Sequence, residues 1–332
     1  MSFSAWARPV PALTLVAGLA ACTGQTTTGA YVPTAAALSR SQLDNSVPDK
    51  SIRIFTANRD GASVLAFNAK ANGDVKPVVN ISGSNTQLGE PDALAMDSKG
   101  NIYAANDSGE SVEVFGPNAN GNVKPKRVIG GSKSQLGPTE GIFVDPEDNL
   151  WVSNYSGNAI TEYKAGASGN VKPKTVISGS KTLLDLPLGM AMDSAGRLYV
   201  ASGSSSAILV FAPGAHGNAA PIATIGGANT LLDKPFALAF DSNGRLLVAD
   251  EGSGVLVFAG NASGNVAAVA HITGFSEVAG VVADSQDHIY VADFGGAAIE
   301  EFASNATGNA TPLRTIKGAN TTLDGPCYLA LR

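Results

Sequence analysis

Residues 91–137 read PDALAMDSKGNIYAANDSGESVEVFGPNANGNVKPKRVIGGSKSQLG, and the rest of the chain is built on that pattern. An apolar run ends at Asp97, an aromatic residue, Phe115, follows 18 residues later, and Gly121 comes six residues after that. Between these landmarks lie four short runs rich in β-branched or aromatic residues, ALAM, NIYAA, VEVF and KRVI, separated by SKG, NDSG and NANGN. The runs are too short for helices and the separators are turn formers, so the stretch predicts four strands joined by three turns.

The landmarks return along the chain. The Asp recurs at Asp97, Asp145, Asp193, Asp241 and Asp284, with spacings of 48, 48, 48 and 43 residues. The aromatic recurs at Phe67, Phe115, Tyr163, Phe211, Phe258 and Phe302, and the turn glycine at Gly73, Gly121, Gly169, Gly217, Gly264 and Gly308. Six units result. A period in the forties with several strands per unit points to propeller blades, because one four-stranded sheet has two apolar faces and buries both only against neighbours in a ring. No stretch after residue 50 has helical apolar periodicity.

The array is out of phase with the chain ends. The first unit (SIRIF, SVLAF, PVVNI) lacks its first strand, whereas the terminal CYLAL is a first strand with nothing after it. We therefore expect residues 327–332 to join residues 51–91 in one composite blade, giving an all-β, six-bladed β-propeller and removing an open sheet edge.

Segments such as PLGMAMDSAGRLYVASGSSSAILVF and VAGVVADSQDHIYVADFGGAAIEEF resemble NHL repeats, the units of six-bladed propellers. The resemblance covers residues 49–332. It implies the fold, and a range of roles that includes protein-interaction and RNA-binding modules, lactonases and lyases. Before the third strand these units carry Ser, Gly and Ala, where the RNA-binding relatives tend to be basic.

Charge agrees with that departure. Charged residues make up 15% of the chain and the net charge is -6, so no basic face for phosphate is expected and nucleic acid is not an expected partner. The N-terminus is different in kind. Residues 1–21 carry Arg8 and a short apolar run, which reads as a secretory signal. They end in Leu19-Ala20-Ala21-Cys22, which resembles the bacterial lipobox and implies lipidation of Cys22 and a place in the cell envelope, at the outer membrane or cell surface. Residues 22–48, rich in Thr, Ala and Ser, read as a flexible tether, and residues 49–332 as the propeller. Cys327, the other cysteine, is expected to be a buried thiol without a disulfide partner.

Two repeating polar columns are expected to be structural. Asp97 and its equivalents should cap the turns that follow them, and Asn58, Asn106, Asn154, Ser202, Asp250 and Asp293 should cap the turns ending the second strands. The Pro and Lys of VKPV, VKPK and their equivalents are read as part of the fourth strands, guarding an outer edge.

Candidate site residues are those that differ between otherwise similar units. At the start of the first strands, near the ring axis, stand Asp92, Glu140, Leu188, Phe236, Ala279 and Cys327. Asp92 and Glu140 lie on adjacent blades with Glu90, Asp107 and Glu110 in nearby loops, an acidic arc facing an apolar one. Such an arc suits a cation or an amphiphilic ligand; no cofactor is required, and calcium is the type of divalent ion Asp92 and Glu140 would favour. The shortened fifth unit suggests a notch lined by Glu251, Phe275, Glu277 and Phe294, with Tyr155 across the ring. No nucleophile with a general base stands out. The expected role is a monomeric binding or protein-interaction scaffold for a protein or small-molecule ligand. A lactonase-like hydrolytic enzyme with an axial divalent cation is the alternative.

Overall fold

The structure, a computed structural model, describes residues 52–332. The signal, the tether and Cys22 lie outside the described residues. Six four-stranded antiparallel sheets are arranged as the blades of a β-propeller. In blade 2 the strands run Pro91–Met96, Ile102–Asn106, Ser111–Phe115 and Arg127–Gly130 from the axis outwards. Helix among the described residues is confined to three 3-10 turns of three residues each.

The second and third strands show why the units need one another. Ile102–Asn106 and Leu198–Ser202 are buried at every residue, and so are Ser111–Phe115 and Ala207–Phe211. Strands covered on both faces read as continuous apolar runs rather than as an alternation. Between blades 3 and 4 the covering layer is a cluster of Trp151, Ile160, Met190, Val200 and Phe211. All six members of the aromatic column are buried in such layers.

The composite blade is present. Pro326–Leu331 pairs antiparallel with Arg53–Asn58, Ile54 opposite Leu331 and Asn58 opposite Pro326. Arg332 continues past the strand: its guanidinium donates to the carbonyls of Gly100 and Pro117 on blade 2, each at 2.8 Å. Thus the last residue fastens blade 1 to blade 2.

A second seal runs around the rim. Each turn glycine forms a parallel bridge with the outermost strand of the preceding blade, Gly121 with Ile81 and, across the closure, Gly73 with Ile316. The glycine is needed for its backbone. Gly121 has φ +72°, and a Cβ there would meet nothing within 4 Å, so conformation rather than space excludes other residues. The next residue completes the clamp: Asn122 Oδ1 accepts the Asn85 N–H and Asp74 Oδ1 accepts the Asn320 N–H, both at 2.7 Å.

This rim arrangement corrects one expectation. The VKP segments precede the fourth strands, which begin two residues after the proline, as at Val79. The outer edge is covered by the neighbouring glycine turn, so the Pro and Lys are not what protects it. The Asp97 column behaves as expected: Asp97 Oδ1 accepts the N–H groups of Lys99 and Asn101, and Asp145, Asp193, Asp241 and Asp284 repeat the pattern. The Asn58 column does something else. Asn106 Oδ1 accepts the N–H groups of Gly89 and Glu90, and Asn58 Oδ1 accepts that of Asp324. These side chains tie down the loop entering their own blade from the rim, and only Asp250 and Asp293 also cap the turn after their strand.

Candidate functional site

The innermost strands all begin at one end of the ring, here termed the top face. Each of them carries a β-bulge near its start. In blade 2, Pro91 pairs with Asn106 and Ala93 with Ala105, leaving Asp92 as the extra residue; Glu140 is the extra residue of blade 3 and Phe236 that of blade 5. A bulged residue has no place in the ladder, so its side chain is turned away from the regular alternation. That is how the fold gives the axis a set of side chains free of the repeat.

Blade 1 departs from the sequence alignment. Cys327 is in register opposite Ala57, and Tyr328 is the extra residue, with φ +24°. Its hydroxyl donates to the Phe236 carbonyl of blade 5 at 3.1 Å, and the two rings lie 5.4 Å apart. This contact crosses the axis just below the top face. Cys327 is thus not the axial residue its alignment suggested; it is the fully buried thiol expected, and burial together with the Asp92 charge pushes that thiol far above the usual range. The signal was in the next column: Ala93, Gly141, Gly189, Ala237 and Gly280 are small where Tyr328 is large. Below the plug an axial cavity of about 190 Å3, lined by residues such as Leu94, Ile142, Leu238 and Tyr328, continues along the innermost strands.

Asp92, Glu140 and Asp107 come together, with one carboxylate oxygen from each lying within 4.8 Å of the others. Asp92 is completely buried and Glu140 is 9% exposed. Arg59, unnoticed in the sequence, places Nε 2.6 Å from Asp92 Oδ1. It stands in the first top-face position after the second strand, where the other blades have Asp107, Tyr155, Gly203, Glu251 and Phe294. That column varies in charge and size from blade to blade, which was the available signal.

One arginine does not neutralise three acids. Asp92 Oδ1 has only the Arg59 ion pair, and Asp92 Oδ2, Asp107 Oδ1 and Glu140 Oε2 are buried without a hydrogen bond, as is the Thr139 hydroxyl beside them. Burial, then the Glu140 charge, raises Asp92 to about 9 in spite of Arg59. Burial and the Asp107 charge raise Glu140 to about 7. Asp107 is raised as well, chiefly by burial, while a backbone N–H from Thr139 opposes the shift. The cluster is thus poised to take up positive charge, either as protons or as a cation.

The other expected residues are more scattered. Glu110 is exposed, closing the 3-10 turn that starts at Asp107. Tyr155 is half-buried on blade 3, and its hydroxyl is raised by burial and by the charge of Glu140. Glu251 pairs with Lys234 at 3.0 Å. The notch loses its apolar part: Phe275 packs edge-on against Phe302, 5.6 Å between ring centres, and Phe294 is buried beside Gly325. Glu277, raised by burial and the Glu251 charge, remains with Glu251 and Lys234 as a polar group on this side of the ring.

The donor set fits a small divalent cation. Oxygens that coordinate one calcium ion at ~2.4 Å can be no more than about 4.8 Å apart, and the three carboxylate oxygens meet that limit. Asp107 joins Asp92 and Glu140 in that set, and the Arg59 guanidinium competes with the ion for Asp92.

No protein-family model matches the chain, and no curated protein matches it either. Solved structures do. A protein of unknown function from Bacteroides caccae aligns with a TM-score of 0.62 at 12% identity, covering 84% of this chain and 98% of that one. A chain of a nidogen/laminin complex aligns with a TM-score of 0.61 at 14% identity over the same shares. The WD40 β-propeller domain of Doa1 gives 0.54 at 11% identity, covering 81% of each chain. At these identities the likeness is one of fold.

Proposed function

We propose that this chain is a lipid-anchored binding propeller of the cell envelope, built from NHL-type repeats and binding its ligand on the top face. The observation that carries the binding reading is the contrast between a strictly repeating frame and a non-repeating axis: bulged positions occupied by Asp92, Glu140, Phe236 and Tyr328 within one ring. A propeller fold suits a scaffold, and the nidogen/laminin neighbour supports protein binding as one use of such a ring. The acid cluster supplies a cation subsite.

A bound ion would relieve the repulsion among Asp92, Asp107 and Glu140. In a thermal-shift series with calcium, magnesium and manganese, wild type is expected to be stabilised by about 2.7 kcal/mol at a hundredfold excess over Kd. The Asp92→Asn/Glu140→Gln protein should show no shift. If no ion moves either protein, the cation subsite is wrong.

The hydrolytic alternative rests on the same three carboxylates, which could serve a lactonase-like reaction only while holding a divalent ion. Against it, the acids come from neighbouring blades 2 and 3, and Leu188, Phe236, Ala279 and Tyr328 offer no carboxylate from the other side. Turnover of sugar lactones in the presence of an ion that shifts the melt would favour it over the scaffold.

The anchor has its own test. Cys22→Ser should move the protein from the membrane to the soluble fraction and abolish incorporation of labelled fatty acid, since the thiol is the site of attachment. A wild-type protein that takes up no label would remove the anchor from the proposal.

A further inference from the structure

The charge of the propeller is one-sided. The top face consists of the loops between second and third strands, the loops from each rim strand to the next blade, and the bulged residues at the axis. Together these carry eleven acidic side chains and four basic ones, Arg59, Lys133, Lys181 and Lys234. The other described residues carry fifteen of each. The whole imbalance of the described propeller therefore faces one way, and a field of that kind steers cationic partners to that face.

Two leucines stand out on the same face. Leu183 and Leu231 occupy equivalent positions in the loops entering blades 4 and 5, and are 57% and 50% exposed. Their backbones are left-handed, with φ +59° and +62°, as are those of Gln87, Gln135 and Thr322 at the same position in other units. The fold thus requires the conformation, which glutamine and threonine meet equally well. It does not require an exposed apolar side chain, so the leucines have no role in the frame. Tyr155 is on the same face, where the charges of Glu140 and of the Lys234–Glu251 pair all act on its hydroxyl.

The depth of the face limits what can sit on it. The Tyr328–Phe236 contact crosses the axis and separates the top from the cavity below. A ligand has to lie across the loops instead of threading into the channel.

Taking the scaffold reading as its basis, we propose that the top face docks a basic polypeptide segment, its Lys or Arg side chains directed to the acid cluster around Glu140 and Asp107 and its apolar side chains covering Leu183 and Leu231. The charge selects the sign of the partner, and the two leucines distinguish an amphipathic segment from a merely basic one.

Fluorescence anisotropy on the purified full chain tests this with three labelled peptides: one alternating Leu and Lys, one alternating Leu and Glu, and one alternating Ser and Lys. The Leu/Lys peptide should bind, more weakly as salt is raised, and the other two at least ten times more weakly. Leu183→Gln/Leu231→Gln, which installs the residue type found at 87 and 135, should lose about tenfold in affinity with an unchanged melt, equivalent to ~1.4 kcal/mol. Glu90→Gln/Glu110→Gln, at exposed sites, should reduce the salt dependence. Equal binding of the Leu/Glu peptide, or a leucine variant that binds as wild type does, overturns the partner class. The scaffold reading is judged separately, since cation-dependent stabilisation through Asp92 and Glu140 does not involve the leucines.

Discussion

Deleting residues 326–332 should cost the propeller more than about 5 kcal/mol, enough to abolish cooperative unfolding or to lower the Tm by well over ten degrees. Cys327, Tyr328 and Leu329 are each less than a tenth exposed, and burying an apolar side chain of this kind contributes about 1.5–3 kcal/mol. The deletion also leaves Arg53–Asn58 as an open edge and removes the Arg332 bonds to Gly100 and Pro117. A domain has about 5–15 kcal/mol in total, so the loss approaches all of it. Removing seven ordinary terminal residues would do little. A truncated chain that melts with wild type would show that the Gly73–Asp74 clamp onto blade 6 suffices to hold the ring. Tyr328→Phe keeps the packing and removes only the hydroxyl bond to Phe236, so it should cost only about 1 kcal/mol.

Raising the pH should destabilise this protein across neutrality. Asp92 and Glu140 are held above the ordinary carboxylate range in the folded state, at about 9 and about 7. Between pH 4 and those values the folded protein keeps protons that the unfolded chain has lost, so unfolding releases protons and stability falls as pH rises. The penalty is absent below the unfolded value and complete once pH exceeds the folded one. Each proton involved contributes a slope of about 1.4 kcal/mol per pH unit within its window. Arg59, Glu90, Asp107, Tyr155 and Cys327 all bear on these two groups, and Arg59 alone favours their ionisation. Denaturant melts from pH 5 to pH 9 should show declining stability in wild type and a shallower decline in Asp92→Asn/Glu140→Gln. Some slope should remain, because Glu113 and Asp250 are also raised by burial, each to about 7. Stability that rises over this range in wild type would mean the acids are fully ionised and paired. Calcium, if it binds between them, should flatten the wild-type profile by replacing the protons.

Architecture was legible because a repeat states its own rules six times. The 48-residue period, the aromatic column and the out-of-phase ends led directly to six blades and to a closing strand, and strands buried on both faces could only be read as continuous apolar runs. The same redundancy misled where a column was assumed to act alike in every unit. Cys327 aligns with Asp92, yet the bulge in blade 1 falls one residue later because Tyr328 reaches across to Phe236. The Asn58 column is polar in every unit, yet the partners common to it lie in the loop from the rim, some seventeen residues back in blades such as 2, 4 and 5, and only its two aspartates also cap the adjacent turn.

By itself the sequence determined the blade count, the turn chemistry of the Asp97 column and the fact that Asp92 and Glu140 are exceptions to the repeat, because each of these is a local pattern repeated or broken at a fixed interval. Only the tertiary structure decided that Asp107 and Arg59 complete their cluster, that the axis is plugged just below it, and that the glycine turns seal the rim. These depend on contacts between different blades, and the distance across a ring is set by how the sheets pack, which no spacing along the chain records.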